Sequence, residues 1–222
     1  MYSSEMFLTE VSSFRVPATL DYAATLTWAV TGAILAVRRK LDIVGVAVIA
    51  FVSALGGGLL RDGLFLQQKP AAVTSAYYLP IVALGILVVV FLRDRGESLM
   101  RYRTVDVLDA LGMGAFAVVG MERAIGAGFT PWGAILTGMV NALGGGVLRD
   151  VLVNEVPSIL KPSQFYALPV FAGCLLYLGL TFFTILSSYA VAWITVLSVF
   201  SGRLLTMQFD WRTSALSLGK RE

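Results

Sequence analysis

The run Ala54-Leu55-Gly56-Gly57-Gly58-Leu59-Leu60-Arg61-Asp62 returns as Ala142-Leu143-Gly144-Gly145-Gly146-Val147-Leu148-Arg149-Asp150. From Gly56 to Gly144 the offset is 88 residues, and both copies lie inside long apolar segments. An adjacent Arg-Asp pair within a membrane helix marks a functional site, because charge at that depth is costly unless it is paired or wetted. Three glycines just before the pair remove the side chains that would otherwise fill the space. The chain is therefore expected to fold around a polar pathway.

Lipid is the solvent that such a chain needs. Of its residues 57% are hydrophobic and only 14% charged, and the mean hydropathy is +0.80, far from a soluble domain. The 222 residues hold about seven spans, at roughly 20 apolar residues per crossing. That leaves no length for a separate soluble enzyme domain, so a non-enzyme without cofactors is expected. The single cysteine, Cys174, has no partner for an internal disulfide and reads as a small packing residue. With no histidine anywhere, a His-bearing zinc site, proton relay or catalytic triad is excluded. The net charge of +3 is explained by the placement of basic residues in loops rather than by a nucleic-acid partner.

Residues 1–16 form a polar to mildly amphipathic lead without a basic n-region, so no cleavable signal peptide is expected and the first span is retained. Apolar segments follow at about 20–37, 43–66, 74–92, 105–122, 131–153, 165–186 and 190–208. They are separated by Arg38-Arg39-Lys40, Gln67-Gln68-Lys69-Pro70, the stretch from Arg93 to Arg103, Gly126-Ala127-Gly128, the stretch from Pro157 to Pro162, and Ser187-Ser188. The last two spans read as a tight helical hairpin, with Arg203 snorkelling to the interface. If the N-terminus is outside, outer segments carry 3 basic residues and inner ones 11, with Arg61, Arg149 and Arg203 in helices completing the 17. The positive-inside rule then places the C-terminus in the cytoplasm of a cell with this protein in its inner membrane.

The repeat extends beyond the glycines. At the same offset Leu20-Asp21 matches Leu108-Asp109, Val30 and Gly32 match Val118 and Gly120, Leu64 matches Leu152, and Tyr78 matches Tyr166. Pro70 and Pro80 find Pro157 and Pro169 within one residue of it. Spans one to three, residues 17–95, are thus repeated as spans four to six, residues 104–187. A seventh helix at 188–209 and a cytoplasmic tail at 210–222 complete the chain. A unit with an odd number of crossings returns upside down, so the fold class is an all-α membrane protein with an inverted three-plus-three repeat.

Inversion puts both triple glycines near mid-depth, with Arg61-Asp62 displaced to one side and Arg149-Asp150 to the other. Successive helical residues point about 100° apart, so each arginine is expected to pair with an acid of the opposite repeat or of a neighbouring span. Asp150 and Asp62 are the first choices, Asp109 and Asp21 the alternatives. The glycines have two readings, close helix packing or a bend that opens and lines a pore; a triple run exposes backbone all round a helix, which favours the bend. The Arg-Asp pairs either brace the bent helices or touch the permeating species. Two arginines face five acids, Asp21, Asp62, Asp109, Asp150 and Glu122. A field with that balance favours cations, and carbonyls freed at the glycines could supply neutral ligands of modest selectivity.

The doubled Gly-Gly-Gly-x-x-Arg-Asp motif in a three-plus-three-plus-one layout resembles the prokaryotic branch of the trimeric intracellular cation channel family, over about residues 18–208. The resemblance implies a homotrimer with a pore in each subunit, lined chiefly by spans two and five, conducting monovalent cations, mainly potassium with some sodium. It also implies an extracytoplasmic N-terminus. Animal members carry a lysine-containing pore motif and bound phosphoinositide. Here Arg61-Asp62 stands in that region, so phosphoinositide regulation is not carried over and membrane lipid remains a general partner. Bacterial members have also been labelled a glycine transporter domain. A secondary transporter of a small amino acid such as glycine is therefore the alternative to a channel, and glycine-broken inverted helices suit both.

Overall fold

The computed structural model describes residues 18–92, 102–161 and 165–212. The expected lead, the loop residues 93–101 and the tail beyond Arg212 lie outside the described residues. The first repeat comprises α1 (Ala18–Arg38), α2 (Ile43–Leu60) continued by a π-helical turn (Arg61–Phe65), a single turn α3 (Ala71–Thr74) and α4 (Tyr78–Leu92). The second comprises α5 (Tyr102–Gly126), α6 (Pro131–Leu152) and α7 (Leu168–Phe183), followed by α8 (Ser188–Gln208).

The repetition extends to the chemistry of the turns. After α1, Lys40 takes a positive φ of 56° and the Leu41 amide bonds back to the Ala36 carbonyl at 3.1 Å. After α5, Gly128 takes φ 80° and the Phe129 amide bonds back to Ala124 at 3.0 Å. Both are the left-handed residue that closes a helix C-terminus. Two residues later Asp42 caps α2 by accepting from the Gly45 amide at 2.8 Å, and Thr130 caps α6 by accepting from the Gly133 amide at 3.2 Å. All these pairs obey the offset of 88.

After Asp62 the offset slips to 87: the left-handed residues that follow are Gln67 and Asn154. The first repeat therefore carries one extra residue between Asp62 and the turn. The π-helical turn Arg61–Phe65 is where it is absorbed, since widening one turn of a helix accommodates one added residue.

Among the described residues five helices are long and apolar enough to cross a membrane: Ala18–Arg38, Ile43–Phe65, Arg103–Gly126, Pro131–Leu152 and Ser188–Gln208. The third and sixth spans, expected at 74–92 and 165–186, form shorter apolar helices of 15 and 16 residues. At the start Pro169 sits in the first turn of α7, and at the end Thr184 turns extended with φ −131°. Among the described residues the seven expected segments thus appear as five long helices and two shorter apolar ones. α1 packs on α2 and α5 on α6, with α1 against α5 and α2 against α6 across the middle. α4 lies along α1, whereas α7 yields much of the equivalent face of α5 to α8.

The glycines do not break their helices. Helical structure runs through Gly56, Gly57 and Gly58 and through Gly144, Gly145 and Gly146. At these positions the two helices cross. A Cβ on Gly57 would collide with the Asn141 carbonyl, and one on Gly145 with the Ser53 carbonyl. A Cβ on Gly56 would lie 3.0 Å from Leu148 Cδ1, and one on Gly144 2.9 Å from Leu60 Cδ1. Higher numbers on α2 meet lower numbers on α6, so the two helices run antiparallel where they cross. The helix propensity lost, about 1 kcal/mol per glycine, is offset by backbone approach that no other residue permits.

Candidate functional site: two buried charge clusters

Because α2 and α6 are antiparallel at the crossing, Arg61 and Arg149 lie on opposite sides of it, each about four residues past its glycine contact. Both are almost fully buried, 3% and 4% exposed. The third glycine of each run faces a cluster rather than the crossing. A Cβ on Gly58 would stand 3.7 Å from Arg61 Nη2, and one on Gly146 3.4 Å from the Tyr166 hydroxyl.

In the first cluster Arg61 turns back on its own neighbour. Its Nε donates to Asp62 Oδ1 at 2.7 Å and Nη2 to Asp62 Oδ2 at 3.0 Å. The carboxylate also accepts from the Ala71 amide at 2.9 Å and Gln68 Nε2 at 3.4 Å. Arg61 Nη1 crosses to the other repeat and donates to Asn141 Oδ1 at 3.1 Å, while Asn141 Nδ2 donates to the Phe116 carbonyl at 2.6 Å. Asp21 is left to the Tyr78 hydroxyl, which donates at 2.5 Å, with Arg123 Nη2 3.9 Å away. A cavity of about 20 Å³ lies among Asp21, Arg61, Asp62, Tyr78, Phe116 and Asn141, enough for one water molecule.

The second cluster is built differently. Arg149 Nη1 and Nη2 donate to the two oxygens of Asp109 at 3.1 and 3.0 Å, and its Nε to Asp150 Oδ1 at 3.1 Å. Asp150 also accepts from the Ser158 amide at 3.0 Å and hydroxyl at 3.2 Å. Ala71 and Ser158 each follow the proline of their repeat, so both aspartates tie the end of a glycine helix to the next turn. Thr31 Oγ1, on the other repeat, lies 3.5 Å from Arg149 Nη1.

Among the described residues Arg149 pairs with Asp109 on the neighbouring span, and neither Arg61 nor Arg149 pairs with an acid of the opposite repeat, which corrects that form of the expectation. Asp62, Asp109 and Asp150 serve arginines of their own repeat, and the cross-repeat contacts run to the amide of Asn141 and the hydroxyl of Thr31. Adjacent Arg and Asp can meet because the arginine side chain is long enough to fold back over the helix, bringing Nε onto the next residue's carboxylate. Glu122 is half-buried on α5. Arg203 is corrected too: it does not snorkel. It is 4% exposed, donates to the Phe165 carbonyl at 2.7 Å and lies 4.8 Å from the Tyr166 ring centroid. The irregular stretch before α7 leaves that carbonyl free for it. Cys174 is a buried free thiol, as expected of a packing residue. Sequence reasoning missed Asn141, Thr31 and the two amides; a lone asparagine in an apolar span was the available signal.

Among the described residues no group of acids and thiols could hold a resident metal ion. The family model described as "Glycine transporter" matches residues 18–94 and 106–182, the two repeats. A UPF0126 membrane protein of Deinococcus radiodurans is 38% identical over 156 residues, 69% of this chain and 71% of the relative. The inner membrane protein YadS of Escherichia coli is 32% identical over 69% of this chain and 73% of its own. Among solved structures, a TRIC cation channel studied for conductance is 29% identical, with a TM-score of 0.80 over 92% of this chain and 98% of that one. The TRIC orthologue from Rhodobacter sphaeroides is 29% identical, with a TM-score of 0.79 over 86% and 96%.

Proposed function

The chain belongs to the family of multi-pass membrane proteins described as glycine transporter and to the prokaryotic trimeric intracellular cation channel family, and from that membership we propose that it is a monovalent cation channel. Potassium is the main ion and sodium a lesser one. Each subunit of a homotrimer has its own path, lined chiefly by α2 and α6, with the N-terminus outside and the C-terminus in the cytoplasm.

One observation carries the reading: two buried Arg-Asp clusters stand on opposite sides of a glycine crossing, in a chain whose fold matches channel structures over nearly its whole length. In each cluster the arginine charge is matched by carboxylates, two aspartates on Arg149 and one on Arg61 with Asp21 close by. With Arg123 close to Asp21 the first cluster is balanced, whereas the second carries two aspartates against Arg149, a surplus of negative charge that draws cations. The glycines do two tasks, Gly56, Gly57, Gly144 and Gly145 bringing the helices together and Gly58 and Gly146 leaving space beside the charges.

The alternative, secondary transport of a small amino acid such as glycine, is favoured by the description of the matching family model. Purified protein in planar bilayers, with tracer-glycine uptake measured in parallel, separates the two. Unitary currents support the channel. Saturable, electrically silent glycine uptake without unitary currents would overturn it.

A further inference from the structure

Between the two clusters, on the helices α1 and α5 that flank the crossing of α2 and α6, stands an aromatic pair. Trp28 on α1 and Phe116 on α5 are related by the same offset of 88 residues as the glycine motifs. Their rings meet edge to face at 5.5 Å, with 84° between planes. Trp28 is fully buried and Phe116 5% exposed.

Each ring belongs to a different cluster. Phe116 walls the cavity beside Arg61, Asp62 and Asn141. Trp28 stands with Arg149: its indole N–H donates to the Asp109 carbonyl at 3.4 Å, and its own carbonyl accepts from Thr31 Oγ1 at 3.0 Å. The six-membered ring lies 3.0 Å from the site of a Cβ on Gly145 and 3.5 Å from one on Gly146. A Cβ on Gly112 would collide with the indole. Glycines on α5 and α6 thus make room for this one large side chain at the centre of the fold.

We infer that Trp28 and Phe116 form the constriction that closes the path between the two repeats. The inference rests on the proposed channel reading and deepens it. The contact between the rings is apolar and dry, and a hydrated cation finds no ligand there; hydrophobic constrictions of this kind gate by excluding water. Because the rings are equivalent under the inverted repeat, each closes the gap from its own side, and removing either opens it.

The test is potassium release from loaded proteoliposomes at rest, comparing wild type with Trp28→Ala and Phe116→Ala. Either variant is expected to leak about tenfold faster than wild type, since a wetted gap replaces a dry one. Trp193→Ala is the control. Trp193 stands edge to face with Tyr189 on α8, is 41% exposed and lies away from both clusters, so its leak should match wild type. The milder Trp28→Leu and Phe116→Leu are read in the same way if an alanine variant does not assemble. A variant that elutes like wild type and leaks no faster overturns the constriction. Wild-type protein without unitary currents overturns the channel reading instead, and the variant-to-wild-type leak ratio still decides the constriction.

Discussion

Replacing Arg149 by alanine should destabilise the protein more than the same change at Arg61, although the two residues occupy equivalent places in the repeat. Among the described residues Asp109 takes its hydrogen bonds from Arg149 alone, at 3.1 and 3.0 Å. Arg149→Ala strands that carboxylate, 3% exposed, without its two guanidinium hydrogen bonds. Removing one partner of a buried pair costs about 3–5 kcal/mol, and at 2–4 °C per kcal/mol for a chain of this size the midpoint falls by roughly 6–20 °C. Arg61→Ala is milder. Asp62 keeps the Ala71 amide at 2.9 Å and Gln68 at 3.4 Å, and the adjoining cavity of about 20 Å³ admits a water in place of the guanidinium. The cost there is about 1–3 kcal/mol, the penalty of a lost buried hydrogen bond. Thermal unfolding of the purified protein in one detergent measures both. The second arm is Arg149→Ala with Asp109→Asn, which removes the stranded charge and should recover about half of the loss. Equal or reversed losses for the two arginines, or no recovery by Asp109→Asn, would refute the assignment of Asp109 as the partner of Arg149.

Gly57→Leu and Gly145→Leu should each abolish assembly or flux, because the new side chain runs into a backbone carbonyl of the facing helix; Gly179→Ala, where nothing lies within 4 Å, should change neither, as read by gel filtration and ion release. Asn141→Leu removes the amide that joins Arg61 to the Phe116 carbonyl and leaves two buried groups unmatched, so the stability measured by thermal unfolding should fall by about 2–6 kcal/mol. Arg203→Met should loosen the stretch before α7 by removing its bond to the Phe165 carbonyl, seen as faster proteolysis or hydrogen exchange around residues 165–168. Cross-linking in native membranes should stop at three subunits, and a purely monomeric conducting species would contradict the trimer.

Much of the fold was legible because the sequence states it twice. Leu20-Asp21, the glycine runs and the Arg-Asp pairs all recur at one offset, and the turns between them recur with it, from Asp42 and Thr130 to Lys40 and Gly128. The one-residue slip at Pro70 and Pro157 was visible too, but only the backbone shows it taken up as a π turn. The site was read less well. Which acid meets which arginine depends on χ angles of a long side chain and on one extra residue in one repeat, and neither follows from spacing. The glycine runs look the same whether they bend a helix or let two helices touch; the distances to Asn141 and Ser53 decide for touching. Arg203 shows the reverse error, a charge near a helix end that has a carbonyl and an aromatic face within reach and so stays inside. Trp28 and Phe116 obey the repeat but are ordinary core residues until their position between the clusters is known.

The reversal potential of single-channel currents under a potassium chloride gradient tests the central claim most directly. A cation path through the acid-matched clusters predicts unitary currents that reverse near the potassium equilibrium potential, with sodium substitution reducing but not abolishing them. Currents that reverse toward the chloride potential, or purified protein that yields no unitary currents while accumulating glycine, would contradict it.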